Sequence, residues 1–297
     1  MKDRGGRKAS FKKFPSPTNN TKTITRRKLR EMREAIDGLV LREMNSGEND
    51  KLLLVLTADK GKIWICAKGG RSIKSRKSAI CRAFTYGEFE IYEKNQRIYL
   101  SGGAPHKSFF AYKTDLDGYA LASYVTAICE EITGEDAPAA DILRATLNTF
   151  YAIENQLYGI EQIKAAYELF AASASGFCPD LSGCGVCNGE FKEGDAFWLD
   201  VMNGALLCEE CKSKRLPYLN GQGAADEYQT KSILLPIDAP SLMAMRYCVG
   251  APVQRLFSFS IKDGQSERLF YKAAESYLLN HLERGFETLN FYHKIKD

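Results

Sequence analysis

Between residues 38 and 100 apolar residues come in short runs, several of them alternating with polar ones, and this spacing predicts strands. The runs are Gly38-Leu-Val-Leu-Arg42, Lys51-Leu-Leu-Leu-Val-Leu56, Lys62-Ile-Trp-Ile-Cys66, Tyr86 to Tyr92 and Arg97-Ile-Tyr-Leu100. Turn formers divide them at Asn45-Ser-Gly-Glu-Asn-Asp50, Asp59-Lys-Gly61 and Asn95. Five strands in so short a span fit a small barrel of the oligonucleotide-binding (OB) type, with an SH3-like barrel as the rival.

From Asp117 the period lengthens to that of a helix. Tyr119, Ala122, Val125, Ile128 and Ile132 recur at three- and four-residue spacing, with Asp115 or Asp117 available as a cap. Residues 139–157 and 161–175 repeat the pattern, and helices are expected again around Ser241 to Tyr247 and Glu267 to Leu289, after a loop at Gly221-Gln-Gly223. The fold class is therefore α+β, a five-stranded OB-fold barrel followed by an all-helical domain.

A cysteine pattern interrupts the helical part. Cys184-Gly-Val-Cys187 and Cys208-Glu-Glu-Cys211 bracket a loop with apolar Phe191 and Phe197-Trp-Leu199, and turn formers at Asn203-Gly204, which predicts a hairpin. Two C-x2-C knuckles supply four soft sulfurs for one tetrahedral ion, structural zinc before an iron-sulfur cluster. A redox pair needs only one knuckle. A zinc deaminase needs H-x-E upstream, whereas His281-Leu-Glu283 lies downstream. Four thiolates leave no open position for a catalytic water, so the ion staples the fold, and Cys178 is the one spare thiol nearby. The expected organisation is an arm at 1–35, the barrel at 36–113, helical segments at 114–183 and 212–297, and the zinc module at 184–211.

Charge adds the next feature. The chain carries a formal +4, but residues 1–30 hold eleven Lys or Arg against one Asp, so the arm is +10 and the remainder −6. Glycine, Pro15-Ser-Pro17 and few apolar residues mark this arm as a basic appendage, with a short helix possible from Thr25 to Ala35. No apolar run approaches the ~20 residues of a membrane span, and the first residues lack a signal-peptide core, so a cytoplasmic location is expected. Scattered Cys66, Cys81, Cys129, Cys178 and Cys248 agree with a reducing compartment.

A second basic cluster follows the third strand. Lys68, Arg71, Lys74, Arg76 and Lys77 share a loop with two glycines and no acid, a composition suited to phosphate oxygens. On the strand leading to it, Lys62, Trp64, Cys66 and Lys68 share one face, which sets an aromatic ring among cations, an arrangement that holds single strands, with packing of Trp64 under a loop as the equal alternative. Catalytic patterns are missing by comparison. His106, His281 and His293 have no paired nucleophile, and neither G-x-S-x-G nor a phosphate-binding G-x-x-x-x-G-K-S occurs. Asp50 with Glu48 is thin support for a magnesium nuclease. The chain reads as a binding protein and not an enzyme, with an RNA-binding or transcription-associated zinc-ribbon protein as the alternative.

Gly38-Leu-Val-Leu-Arg-Glu-Met-Asn-Ser-Gly-Glu-Asn-Asp-Lys-Leu, Gly61-Lys-Ile, Ala67-Lys-Gly-Gly-Arg and Lys74-Ser-Arg76 resemble the opening of the bacterial RecO family of DNA repair proteins. Gly176-Phe-Cys-Pro-Asp-Leu-Ser-Gly-Cys184-Gly-Val-Cys187 resembles the segment by which that family enters its zinc site, and Tyr277 to Leu289 its last helix. The resemblance implies an OB barrel, a helical domain with a four-cysteine zinc module, binding of single- and double-stranded DNA, and strand annealing. It also implies work with RecR to place RecA on DNA coated by single-strand-binding protein, whose acidic tail would meet Arg246, Tyr247 and Arg255. Such a protein acts in the bacterial cytoplasm at the nucleoid. The basic arm is outside the family's usual pattern.

Overall fold

The computed structural model describes residues 33–72, 75, 77–110, 115–191, 194–219 and 232–296. The basic arm up to residue 32, Lys74, Arg76 and the Gly221-Gln-Gly223 loop lie outside the described residues.

Five strands, β1 (Arg33–Ser46), β2 (Asp50–Thr57), β3 (Gly61–Ala67), β4 (Thr85–Lys94) and β5 (Arg97–Ser108), close a barrel in the order β1-β2-β3-β5-β4. All pairings are antiparallel except the short β3–β5 closure, where Ile65 faces Ile98 and Cys66 faces Tyr99. Arg33 to Ala35, assigned above to the end of a helix, instead open β1 opposite Tyr92 to Glu90. The β4 edge they complete supplies a row of backbone partners that local helical preference cannot match.

The barrel interior is filled by Val40, Leu53, Val55, Ile63, Ile65, Phe89, Ile91 and Leu100. The outer faces of β1 and β2 are also apolar: Leu39, Leu41, Leu54 and Leu56 belong to the core of the helical domain. Burial on both faces explains why β2 reads as an unbroken Leu/Val run instead of alternating. At the start of β3, Gly61 has φ +62°, and a Cβ there would lie 2.3 Å from the Gly134 carbonyl, so close approach to the helical domain requires glycine.

The helical domain begins with α1 (Leu116–Ile132), α2 (Ala140–Glu154) and α3 (Ile160–Ala174). Asp115 takes the N-cap position of α1 without a side-chain cap bond. After α3 the chain builds β6 (Asp180–Cys184), β7 (Phe197–Asp200), β8 (Ala205–Cys208), α4 (Glu209–Leu219) and β9 (Leu234–Ile237). The expected hairpin is β7–β8, but it is the centre of a four-stranded sheet ordered β6-β8-β7-β9. Then follow α5 (Ala239–Gly250), a short 3-10 turn at Val253–Arg255, α6 (Gly264–His281) and α7 (Glu287–Lys296). The single helix expected over Glu267 to Leu289 is thus broken. Glu283 turns back at φ 50°, Gly285 follows, and Phe286 packs against Tyr124 with ring centroids 5.5 Å apart.

Two acidic caps tie α5 to α6. Asp238 accepts from Ser241 N (2.9 Å) and Asp263 from Ser266 N (2.8 Å), while Ser266 Oγ donates to Asp238 at 2.6 Å. These bonds hold both carboxyls below the ordinary aspartate range, that of Asp238 against the opposing effect of burial.

Candidate nucleic-acid interface and metal centre

The basic loop is fixed to the barrel at both ends. Gly69 N donates to Asp50 Oδ1 (2.8 Å), and Arg71 N to the Asn49 carbonyl (3.0 Å), so Asp50 anchors the loop to the β1–β2 turn. At the far end Lys77 Nζ donates to the Leu100 carbonyl on β5 at 2.7 Å. Lys68 stands exposed with its ammonium 5.5 Å from the Tyr99 ring centroid, and the exposed Arg71 side chain reaches the Gly47 carbonyl at 3.1 Å. Three cations of the cluster, Lys68, Arg71 and Lys77, therefore border one end of the barrel.

Lys62 and Trp64 lie elsewhere, on the seam with the helical domain. Lys62 Nζ donates to the Glu130 carbonyl (2.7 Å), and its amide to the Gly134 carbonyl (3.1 Å). Trp64 packs on the helical core beneath Arg42, whose guanidinium carbon is 5.4 Å from the indole and whose NH2 meets Glu130 Oε1 at 2.8 Å. The face shared by Lys62, Trp64 and Cys66 is as the alternation implied, but the seam covers the part of it holding Lys62 and Trp64.

The thiols of Cys184, Cys187, Cys208 and Cys211 all lie within 4.8 Å of one another, with Cys187 and Cys208 sulfurs 3.9 Å apart. A tetrahedral ion with metal–sulfur bonds of ~2.3 Å needs sulfur–sulfur edges of about 3.8 Å, so this group can hold a metal ion. The first knuckle is formed by Asn188 in the left-handed region (φ 57°), with the Asn188 amide on the Cys184 carbonyl at 2.8 Å. Burial opposes ionisation of Cys184, yet amides of Cys187, Cys208 and Val186 aimed at its sulfur bring its thiol down. Hydrogen bonding with the Cys208 sulfur pushes Cys211 the other way. Cys178, exposed, is not a member of this group.

The sheet carrying these thiols rests on α6 and α5. His281 Nε2 is 2.9 Å from the Val201 carbonyl, and Tyr277 sits under Gly204, where an added Cβ would be 2.7 Å from its hydroxyl. Arg246 donates to the Leu181 carbonyl (2.7 Å, from Nε) and the Ser182 carbonyl (3.0 Å), so it clamps β6 to α5. Tyr247 donates to the Arg255 carbonyl at 2.7 Å, which brings these two residues together near exposed Arg255. Of the other histidines, His106 meets Asp37 (2.9 Å) and His293 meets Glu275 (3.0 Å). No described helix is long and apolar enough to cross a membrane.

Fold and thiol site together define a two-domain protein in which an OB-type barrel is seated on a helical domain with an inserted four-cysteine module that can hold a metal ion. Residues 32–109 match the family description "Recombination protein O N terminal", and residues 113–225 match "Recombination protein O C terminal". A curated relative, DNA repair protein RecO of Acetivibrio thermocellus, is 26% identical over 254 residues, covering 86% of this chain and 94% of the relative. That of Caldanaerobacter subterraneus is 26% identical over 263 residues, covering 88% and 98%. That of Bacillus pumilus is 30% identical over 178 residues, covering 60% and 68%. The chain belongs to the RecO family of DNA repair proteins.

Proposed function

We propose that this chain binds single- and double-stranded DNA along the basic end of its barrel, anneals complementary strands, and with RecR places RecA on DNA coated by single-strand-binding protein. The observation that carries the DNA-binding part is the loop after β3, held at Asp50 and Leu100 so that Lys68, Arg71 and Lys77 stand together at one barrel end. Cations there neutralise phosphates and release counterions, and two strands on one basic surface lose their mutual repulsion. Annealing then needs no catalytic step, and the protein works in the cytoplasm at the nucleoid. Lys68, Arg71, Lys74, Arg76 and Lys77 are assigned to this interface. Lys62 and Trp64 serve the seam that orients the barrel. We assign zinc to the four thiols as a structural ion, because sulfur donors at tetrahedral spacing favour it.

The triple variant Arg71→Ala, Lys74→Ala, Arg76→Ala is expected to lose at least tenfold in affinity for single strands and duplex alike. Its log–log salt dependence on single strands becomes shallower by about 0.7 for each phosphate that is no longer neutralised. Fluorescence anisotropy at several salt concentrations reads both quantities. Unchanged affinity at low salt removes the loop from the interface.

The helical domain is assigned to the acidic tail of single-strand-binding protein, around Tyr247 and Arg255. Arg246, engaged on β6, contributes by holding that surface in place. A tail peptide titrated by calorimetry onto a Tyr247→Ala, Arg255→Ala variant is expected to bind at least fivefold more weakly. Equal binding rejects the site.

A further inference from the structure

The pairing of β4 with β5 sets Tyr92 directly opposite Tyr99, and the rings stack with centroids 5.4 Å apart and planes 20° from parallel. Both point away from the barrel interior, because their neighbours Ile91 and Leu100 fill it. Both are half-buried, and neither is packed on the barrel core or on the core of the helical domain. Trp64, also half-buried, packs on the helical core instead. Cross-strand aromatic pairs often do no more than stabilise a sheet. This one has cations around it. Lys68 lies over Tyr99 at 5.5 Å, exposed Arg97 stands two residues before Tyr99 on the same face, and exposed Arg33 pairs with Tyr92 across β1. Lys77 binds the carbonyl next to Tyr99, so the basic loop begins and ends beside this pair. The nearest acid on that face of β4 is Glu90, two residues back from Tyr92 toward Gly102.

We infer that Tyr92 and Tyr99 form a stacking platform for unpaired bases of single-stranded DNA whose phosphates are held by Lys68, Lys77, Arg97 and Arg33. The inference rests on the DNA-binding reading above and assigns it a base-contacting surface. Stacking on a ring is indifferent to base identity and unavailable to a base inside a duplex. The platform therefore separates single strands from duplex, which the basic loop, contacting phosphate, does not.

The test compares the full chain with a Tyr92→Leu, Tyr99→Leu variant, using fluorescein-labelled oligo-dT, an abasic oligonucleotide of equal length, and a duplex. The variant is expected to lose about tenfold or more in affinity for oligo-dT at fixed salt, with an unchanged salt slope and unchanged duplex affinity. Preference for dT over the abasic strand is lost with it, and Tyr92→Phe, Tyr99→Phe retains both. If the leucine variant melts early, 5-iodouracil photo-crosslinking of the native chain decides. Adducts on the peptides containing Tyr92 or Tyr99 support the platform, and adducts mapping only elsewhere overturn it. A leucine variant that keeps its dT affinity while the loop variant loses binding overturns the platform and leaves the DNA-binding reading standing. Absence of DNA binding by the native chain overturns both.

Discussion

Replacing Cys184 with Ser, or withdrawing the ion with a strong chelator, is expected to loosen the four-stranded sheet and lower the melting temperature by about 10 °C. Structural zinc contributes apparent binding free energies of ~10–16 kcal/mol in small modules that are unfolded without it. Here the loss is smaller, because the sheet has a second support. Phe197, Leu199, Val201, Leu206 and Ile237 are part of the helical core, whereas among the described residues the thiol end has Cys184, Leu207 and Cys211 buried together. We therefore expect at least ~3 kcal/mol of destabilisation, and at ~2–4 °C per kcal/mol for a chain of this size that gives the stated shift. Proteolysis of the metal-stripped protein is expected to begin within residues 178–212 while the barrel persists. The check is one equivalent of zinc released on thiol titration, together with calorimetry before and after chelation. A protein that binds no metal when purified under reducing conditions, and melts identically with chelator, contradicts the assignment.

How much of this was readable beforehand follows the reach of each interaction. The five barrel strands and their turns are local: alternation, Gly61 and Asn95 are visible within a few residues. The two knuckles were visible for the same reason, since ligand spacing is itself a local pattern. Strands β6 and β9 were not. Asp180–Cys184 contains a glycine and pairs in parallel with β8 across an irregular register, and Leu234–Ile237 includes Pro236, so each is a strand only because β8 and β7 lie alongside. Trp64 shows the same limit in a site residue. Its face followed from alternation, but nothing near it in the chain announces that Arg42, paired with Glu130, comes to lie over its ring or that the helical core packs against it. The orientation of Tyr99 between inward Ile98 and Leu100 was in principle legible, whereas its partner Tyr92 and its approach to Lys68 depend on which strands the barrel joins.

The most hidden feature is a charge inside the helical core, and its removal should be as costly as loss of the metal. Lys164 and Glu168 look like an ordinary surface pair one helical turn apart, yet their side chains are 1% and 0% exposed. Lys164 Nζ donates to Glu168 (2.9 Å) and to Glu275 on α6 (2.5 Å), and Tyr124 on α1 donates to Glu168 at 2.9 Å. One cation thus joins three helices. Burial opposes its charge, and the two carboxylates outweigh that and hold its pKa above the ordinary lysine value. Glu168 has the opposite balance: burial outweighs its one cation and raises its pKa to about 7. Because this folded-state pKa is above the unfolded value, Glu168 supports the fold at low pH and loses that contribution as pH rises toward and through 7. Lys164→Met removes the one cation bonded to it among the described residues, so the folded pKa climbs further and the penalty for ionised Glu168 extends above neutrality. We expect a loss of ~3–5 kcal/mol at pH 8, the usual cost of stranding one partner of a buried pair. The gap from the unmodified protein should narrow toward pH 5.5, where a protonated Glu168 no longer needs the lysine. Adding Glu168→Gln to Lys164→Met should restore part of the stability at pH 8 by removing the stranded charge. Denaturant unfolding of the native chain and both variants at the two pH values is the measurement. A single variant equally stable at pH 8, or a gap that fails to shrink on acidification, would show that the pair is neutralised by groups other than these.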